Sequence, residues 1–214
     1  MNILLAAATE PEITLTLARL HRQETQHNVT TCITGIGTGA ASFALTRALC
    51  MGSYDFVLGA GIGGTFDRSM PLCSLAVITE ERFADLGAED RDSFQSVFDL
   101  GLVRPNIPPF AGGALPADLS QSPFPLSGLQ HAAGITVETG TGCAETVAKR
   151  LARFGPVVET MEGAALHYVC RQLDIPFLQL RAISNYAEVR NRDAWEIEGA
   201  VSALNGKLAE WLFM

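Results

Sequence analysis

Six short stretches, at residues 2–8, 29–34, 56–61, 74–79, 134–137 and 176–184, are strand candidates, most of them apolar at successive positions rather than at alternate ones. Runs of that length without alternation suit strands buried on both faces, as in a parallel sheet. Between them lie longer segments, 11–24, 39–51, 144–154, 162–173 and 192–213, whose apolar residues recur at helical spacing. In the fourth, Ala165, Leu166, Val169, Cys170 and Leu173 form one stripe, which belongs against a sheet. Strands alternating with helices predict an α/β fold: a three-layer α/β/α sandwich around one large, mostly parallel sheet, within a single domain over residues 1–214.

Residues 99–133 break the rhythm, because six of the ten prolines fall between Pro105 and Pro125 and Gly112 and Gly113 interrupt what period remains. A stretch of this length inside a domain reads as a lid, a subunit contact or a plain surface loop. With 48% hydrophobic and 18% charged residues, the 214-residue chain has enough apolar material for its own core. Its net charge of -8 and the lack of any basic run argue against tracking of nucleic-acid phosphates. The five cysteines, Cys32, Cys50, Cys73, Cys143 and Cys170, have no CxxC pair and an odd count, which suits reduced thiols in a cytoplasmic protein. Neither a secretory leader nor a membrane span is expected, since the apolar start is short and runs into Glu10 and Glu12.

Two glycine-rich segments follow candidate strands. The run Thr34-Gly-Ile-Gly-Thr-Gly-Ala-Ala41 is a relaxed match to a dinucleotide fingerprint, but it follows the second strand, and Asp55 precedes its own strand instead of ending it. A tight strand-to-helix turn is the plainer reading. The run Gly59-Ala-Gly-Ile-Gly-Gly-Thr65 ends the most apolar strand, where bare backbone lets a flat ligand approach; a bulge closing onto the next strand is the alternative.

Four polar groups fall at or just beyond strand carboxyl ends: Glu12, Glu162, Arg181 and Asn185. Singly they read as helix N-terminal acids, a buried ion-pair partner and a turn residue. Together on one sheet edge they suit cleavage of a bond between a sugar and a base, which passes through an oxocarbenium-like state. One carboxylate activates water, another holds the ribose hydroxyls, and a donor meets the base as charge arrives, roles that Glu12, Glu162 and Asn185 fill in that order.

The segments Glu159-Thr-Met-Glu-Gly-Ala-Ala165 and Leu180-Arg-Ala-Ile-Ser-Asn-Tyr186, with Glu12 and the Gly61-Ile-Gly-Gly64 turn, resemble bacterial methylthioadenosine/S-adenosylhomocysteine nucleosidases across nearly the whole chain. Through Glu81-Arg-Phe-Ala-Asp-Leu-Gly-Ala-Glu-Asp90 and Asn185-Tyr-Ala-Glu-Val-Arg-Asn-Arg192 the chain is still more similar to the futalosine hydrolases of the same purine nucleoside phosphorylase superfamily. That resemblance implies a nucleoside phosphorylase-like fold with a mixed sheet. It implies Glu12 as the water-activating base helped by Arg181, Glu162 on the ribose hydroxyls, Met161 against sugar or base, and Gly61, Ile62 and Gly63 bordering the base. It implies no metal or organic cofactor, and a homodimer or higher homo-oligomer.

Asn185 stands where the methylthioadenosine enzymes carry an aspartate. An amide donates to a carbonyl oxygen but does not readily transfer its proton, so a 6-oxopurine fits better than adenine. The implied reaction is hydrolysis of futalosine to hypoxanthine and dehypoxanthine futalosine, in menaquinone biosynthesis. The rival readings are an adenine-releasing nucleosidase, a phosphorolytic purine nucleoside phosphorylase, and a non-catalytic nucleoside-binding or storage protein. Phosphorolysis is disfavoured by the acidic turn Ala8-Thr-Glu-Pro-Glu12, and the storage role by the presence of both Glu12 and Glu162.

Overall fold

A computed structural model describes residues 1–91 and 93–213. The first apolar run forms β1 (Asn2–Ala7), and its side chains split between two cores. Ile3 and Leu5 join one cluster with Ile13 of α1 (Glu10–Leu20) and Leu204, Leu208 and Trp211 of α5 (Ile197–Phe213). Leu4, pointing the other way, joins Leu45 of α2 (Thr38–Met51) and Leu166 and Val169 of α4 (Gly163–Gln172). Helices therefore cover both faces, as the unbroken apolar runs require. Each fully buried leucine or isoleucine contributes roughly 1.5–3 kcal/mol relative to an exposed one.

The main sheet runs in the order β10-β4-β8-β9-β3-β1-β2, with β10 also paired to β3 and β7 (Leu115–Pro116) on the flank of β4. Here β2 is Asn28–Ile33, β3 Phe56–Thr65, β4 Leu75–Phe83, β8 Gln130–Thr136, β9 Val158–Thr160 and β10 Phe177–Tyr186. It is mixed: β10 runs antiparallel to β4 and β9 antiparallel to β3, while β1–β2, β1–β3, β3–β10, β4–β8 and β8–β9 are parallel. Because β10 touches both β3 and β4, one half of the sheet curls into a closed ring. The α/β class stands, and the closure adds a second small core around Ile135, Val137 and Phe66, on which Val147 and Phe154 of α3 (Ala144–Phe154) pack.

Several boundaries move. The glycine-rich end of β3 is strand as far as Thr65, held by its register against β10 rather than by its own propensity. The run at 74–79 continues to Phe83, whereas β2 is an edge strand with only Val29 and Cys32 half-buried, not a buried one. The last helix begins at Ile197, after a 3-10 turn at Arg192–Ala194. Leu173, placed on the apolar stripe of α4, ends that helix and is 38% exposed. A two-stranded hairpin, β5 (Gly87–Asp90) and β6 (Ser93–Ser96), and the short β9 had no counterpart in the apolar pattern.

The proline-rich stretch is stitched to the body. Arg171 donates to the carbonyls of Pro109 (2.6 Å) and Pro116 (2.9 Å), and the buried Phe124 stacks on Trp211 at 4.9 Å between ring centres. No helix among the described residues is long and apolar enough to cross a membrane.

Candidate active site

Parallel β1 and β10 flank β3, so their carboxyl ends meet over the glycines of β3. Glu12, in the first turn of α1, is brought there by a short connection from β1. It is buried, and both oxygens of its carboxylate are bonded: Oε1 accepts from Ile62 N (3.0 Å), and Oε2 from Thr9 N (2.9 Å) and the Thr9 hydroxyl (3.0 Å). Just past it the helix kinks at Ile13. The cause is Asn205 of α5, inserted into the helical ladder: it donates to Glu12 O (2.8 Å) and accepts from Thr16 N (2.9 Å), replacing the bond those two groups make in a regular helix.

Arg181 lies opposite Gly61 in the β3–β10 register, with Nη1 donating to Ile62 O (3.3 Å). A Cβ on Gly61 would fall 2.3 Å from Arg181 Nη1 and 2.8 Å from Glu12 Oε1, so both charged groups face this backbone and only glycine leaves room for them. Arg181 is buried, and its Nε has no hydrogen-bond partner. A buried donor without a partner is costly, which is a feature of groups kept for a ligand.

Glu162 caps α4 by position but not by bonding. Its Oε1 accepts from Gly37 N (2.9 Å), in the turn between β2 and α2. Gly37 adopts φ +87, a conformation glycine permits, and so the first glycine-rich run is a strand-to-helix turn that delivers an N–H to Glu162. Burial pushes the Glu162 carboxyl above its usual range; Arg181 and the Gly37 N–H oppose that shift, and the Glu12 charge adds to it. Glu162 and Arg181 line a water-sized cleft of about 20 Å³ with Thr34, Gly59 and Ala8. Two larger hollows, of about 640 and 860 Å³, share Arg153 and Phe154 and contain none of these residues. Both are grooves beside the β5–β6 hairpin.

Glu12, Glu162, Arg181, Gly61 and Ile62 are thus brought together. Asn185 sits further along β10, past a bulge between Ile183 and Asn185, opposite Gly64. Its Oδ1 accepts from Ser184 Oγ (2.8 Å) and its Nδ2 donates to Tyr186 O (3.1 Å), leaving one amide hydrogen free of those partners. Gly63 packs on the backbone of Glu159, and Met161 is partly buried against the small core with Phe66, Val137 and Ala187. Asn185, Gly63 and Met161 do not line the cleft shared by Glu162 and Arg181. Among the described residues no group of three or more metal-ligating side chains is placed to hold an ion.

One buried group went unnoticed as a candidate. Glu81 is fully buried in β4, with burial pushing its carboxyl up to about 7 against bonds from Gln179, Thr136 and Thr160 and the Arg181 charge. In sequence it stands between two other charged residues, Glu80 and Arg82, and opens the segment 81–90 that resembles the futalosine hydrolases. A register shift between Ile78 and Glu80 in the β4–β8 pairing alters the strand's inside-outside alternation there. The available signal was Gln179, a lone amide in the apolar run 176–184, which required a buried partner.

Comparison with known proteins gives the family. The family model described as the phosphorylase superfamily matches residues 8–210. The chain belongs to the phosphorylase superfamily. Among curated superfamily relatives, a futalosine hydrolase of Streptomyces coelicolor is 38% identical over 160 residues, 73% of this chain and 66% of the relative. A futalosine hydrolase of Thermus thermophilus is 30% identical, covering 80% of this chain and 75% of that one. The resemblance to futalosine hydrolases read from the motifs therefore holds. The superfamily fold is matched by a solved methylthioadenosine/S-adenosylhomocysteine nucleosidase from Colwellia psychrerythraea in complex with adenine, with TM-score 0.77, 22% identity, and 99% and 96% of the two chains covered.

Proposed function

We propose that residues 1–214 act as one nucleosidase domain that hydrolyses the N-ribosidic bond of futalosine, releasing hypoxanthine. That the chain is an N-glycosyl hydrolase follows from its relatives, which are named as hydrolases and nucleosidases. The observation that carries the mechanism is the meeting of Glu12 and Arg181 over Gly61, beside Glu162. Glu12 takes the proton of a water whose oxygen attacks the anomeric carbon, with Arg181 holding that water, while Glu162 accepts from the ribose hydroxyls. The bond to the base breaks with its electron pair on the purine, which Asn185 Nδ2–H stabilises at the 6-oxo group before the base takes a proton from solvent. Met161, Ile62 and Gly63 border the sugar and base.

Water is favoured over phosphate as nucleophile because the donors that would receive an anion, Ile62 N and Thr9 N, already serve the Glu12 carboxylate. With futalosine, inosine and methylthioadenosine supplied separately, hypoxanthine release from futalosine is expected to be fastest and indifferent to added phosphate. Faster adenine release would overturn the base assignment, and ribose 1-phosphate among the products would overturn hydrolysis.

The same reading includes a homodimer. Ile33 at the end of β2 and Phe43 and Met51 on α2 line one surface groove, with 40%, 70% and 76% exposure. Clustered apolar exposure of this kind marks an association surface. Light scattering is expected to give at least twice the chain mass of 22.9 kDa, reduced towards one chain by Phe43→Glu. A native protein of single-chain mass would refute the association.

A further inference from the structure

Glu81 takes no part in the chemistry above and does not line the cleft, yet two hydroxyls tie it to the start of α4, next to Glu162. Thr136 Oγ1 donates to Glu81 Oε2 (2.9 Å) and accepts from Ala164 N (2.7 Å). Thr160 Oγ1 donates to Glu81 Oε1 (3.5 Å) and accepts from Gly163 N (3.1 Å). Gly163 and Ala164 are the first two residues of α4, whose N–H groups have no partner within the helix, and that of Ala164 is one the side chain of the N-cap residue ordinarily satisfies. Here that residue is Glu162, whose carboxylate makes no bond to its own helix and is turned to Gly37.

The backbone is built around this arrangement. A Cβ on Gly163 would fall 1.9 Å from Glu81 Oε1, and one on Gly134 2.6 Å from it, so α4 and β8 both close directly onto the carboxyl group. Gln179 Nε2 on β10 gives Oε1 another donor at 2.9 Å. The charged and titratable groups around Glu81 are Arg181 on β10 and, across the Gln179 amide, His167 on α4. His167 Nδ1 contacts Leu115 O at 2.7 Å, and burial lowers this histidine to about 4, so the ring is neutral and Nδ1 carries the proton. His167 Nε2 and Gln179 Oε1 are then both unpartnered acceptors. A reversed Gln179 amide would satisfy both when Glu81 holds a proton. In either state Oε2 remains an acceptor for Thr136.

We propose that Glu81 is a positioning residue that caps α4 from the core through Thr136 and Thr160, freeing the Glu162 carboxylate to hold the substrate's ribose hydroxyls. This rests on the ribose assignment of Glu162. The test is the ratio of kcat/KM for the nucleoside hydrolysed fastest among futalosine, inosine and methylthioadenosine to that for its 2′-deoxy analogue. Glu162→Gln is expected to lower the ratio by about tenfold, and Glu81→Leu and Thr136→Val by at least about threefold each, the scale of one buried hydrogen bond. Glu81→Gln keeps an acceptor for Thr136 and is expected to hold the ratio within about twofold of the native value. Adding Glu81→Leu to Glu162→Gln should lower it no further. A loss of packing alone would slow both substrates in parallel and leave the ratio unmoved, as no positioning role allows. A ratio moved by Glu162→Gln but not by Glu81→Leu or Thr136→Val overturns the role of Glu81 alone. A ratio unmoved by Glu162→Gln overturns the ribose assignment and this role with it. Should Glu81→Leu fail to fold, Thr136→Val, which removes one hydroxyl at constant shape, decides the matter.

Discussion

Glu12→Gln should hold substrate near native affinity while losing turnover by about 10³-fold, the usual worth of a positioned general base. The amide has nearly the same shape as the carboxylate but cannot take a proton from water at neutral pH. Its local cost is calculable from the donors present. Thr9 presents both N–H and hydroxyl to Oε2, and Ile62 N presents to Oε1, so the single amide oxygen should stay with Thr9 and leave Ile62 N facing an NH₂ group. One mismatched bond then remains at Ile62 N, costing about 1–3 kcal/mol, which lowers stability without removing the site. Single-turnover kinetics with calorimetric binding separate the two effects. Near-native kcat in a folded Glu12→Gln protein would remove Glu12 from the chemistry, while lost binding with unchanged kcat would make it a substrate ligand instead.

A methyl group on Gly61 is expected to cost about 10²-fold in kcat/KM, because misplacement of reacting groups by around an ångström has that effect. The new Cβ would sit 2.3 Å from Arg181 Nη1 and 2.8 Å from Glu12 Oε1, and neither can stay where it is. The guanidinium is the end of a long side chain and can move, so the fold should survive. Glu12 is bound at both oxygens and has less freedom, which makes the displacement fall chiefly on Arg181. Gly206→Ala, on α5 with no atom within 4 Å of its added Cβ, is the matching control and should leave activity unchanged. A Gly61→Ala enzyme with native kcat/KM would show that the two charged groups need not share that space.

Much of this was legible in the chain because buried strands and amphipathic helices leave periodic traces. The predicted range for α3 is the observed one, and those for β1 and α2 differ by a single residue at one end. Glu12 and Arg181 could be brought together on paper since β1, β3 and β10 run parallel and residues at their carboxyl ends meet. What escaped depends on contacts between distant segments. The three residues of β9 are too few to show a period, yet they close the ring between β8 and β3. The end of β3 is poor in strand-forming residues and becomes strand through its partner. Glu81 is buried where a register shift interrupts the alternation, and no count of apolar positions locates such a shift. Asn205 looks like one polar residue on an apolar helix; its position inside the backbone ladder of α1 exists only once α1 and α5 pack.

The closeness of Gly163 to Glu81 also constrains how the sequence can change. Any residue larger than glycine at 163 demands that position 81 shrink first, yet shrinking position 81 strips the helix start of its support while glycine is still there. Each substitution is harmful on the background of the other's native partner, so tolerated variants of this corner should arise as coupled replacements, with Gly134 and Gln179 drawn into the same exchange.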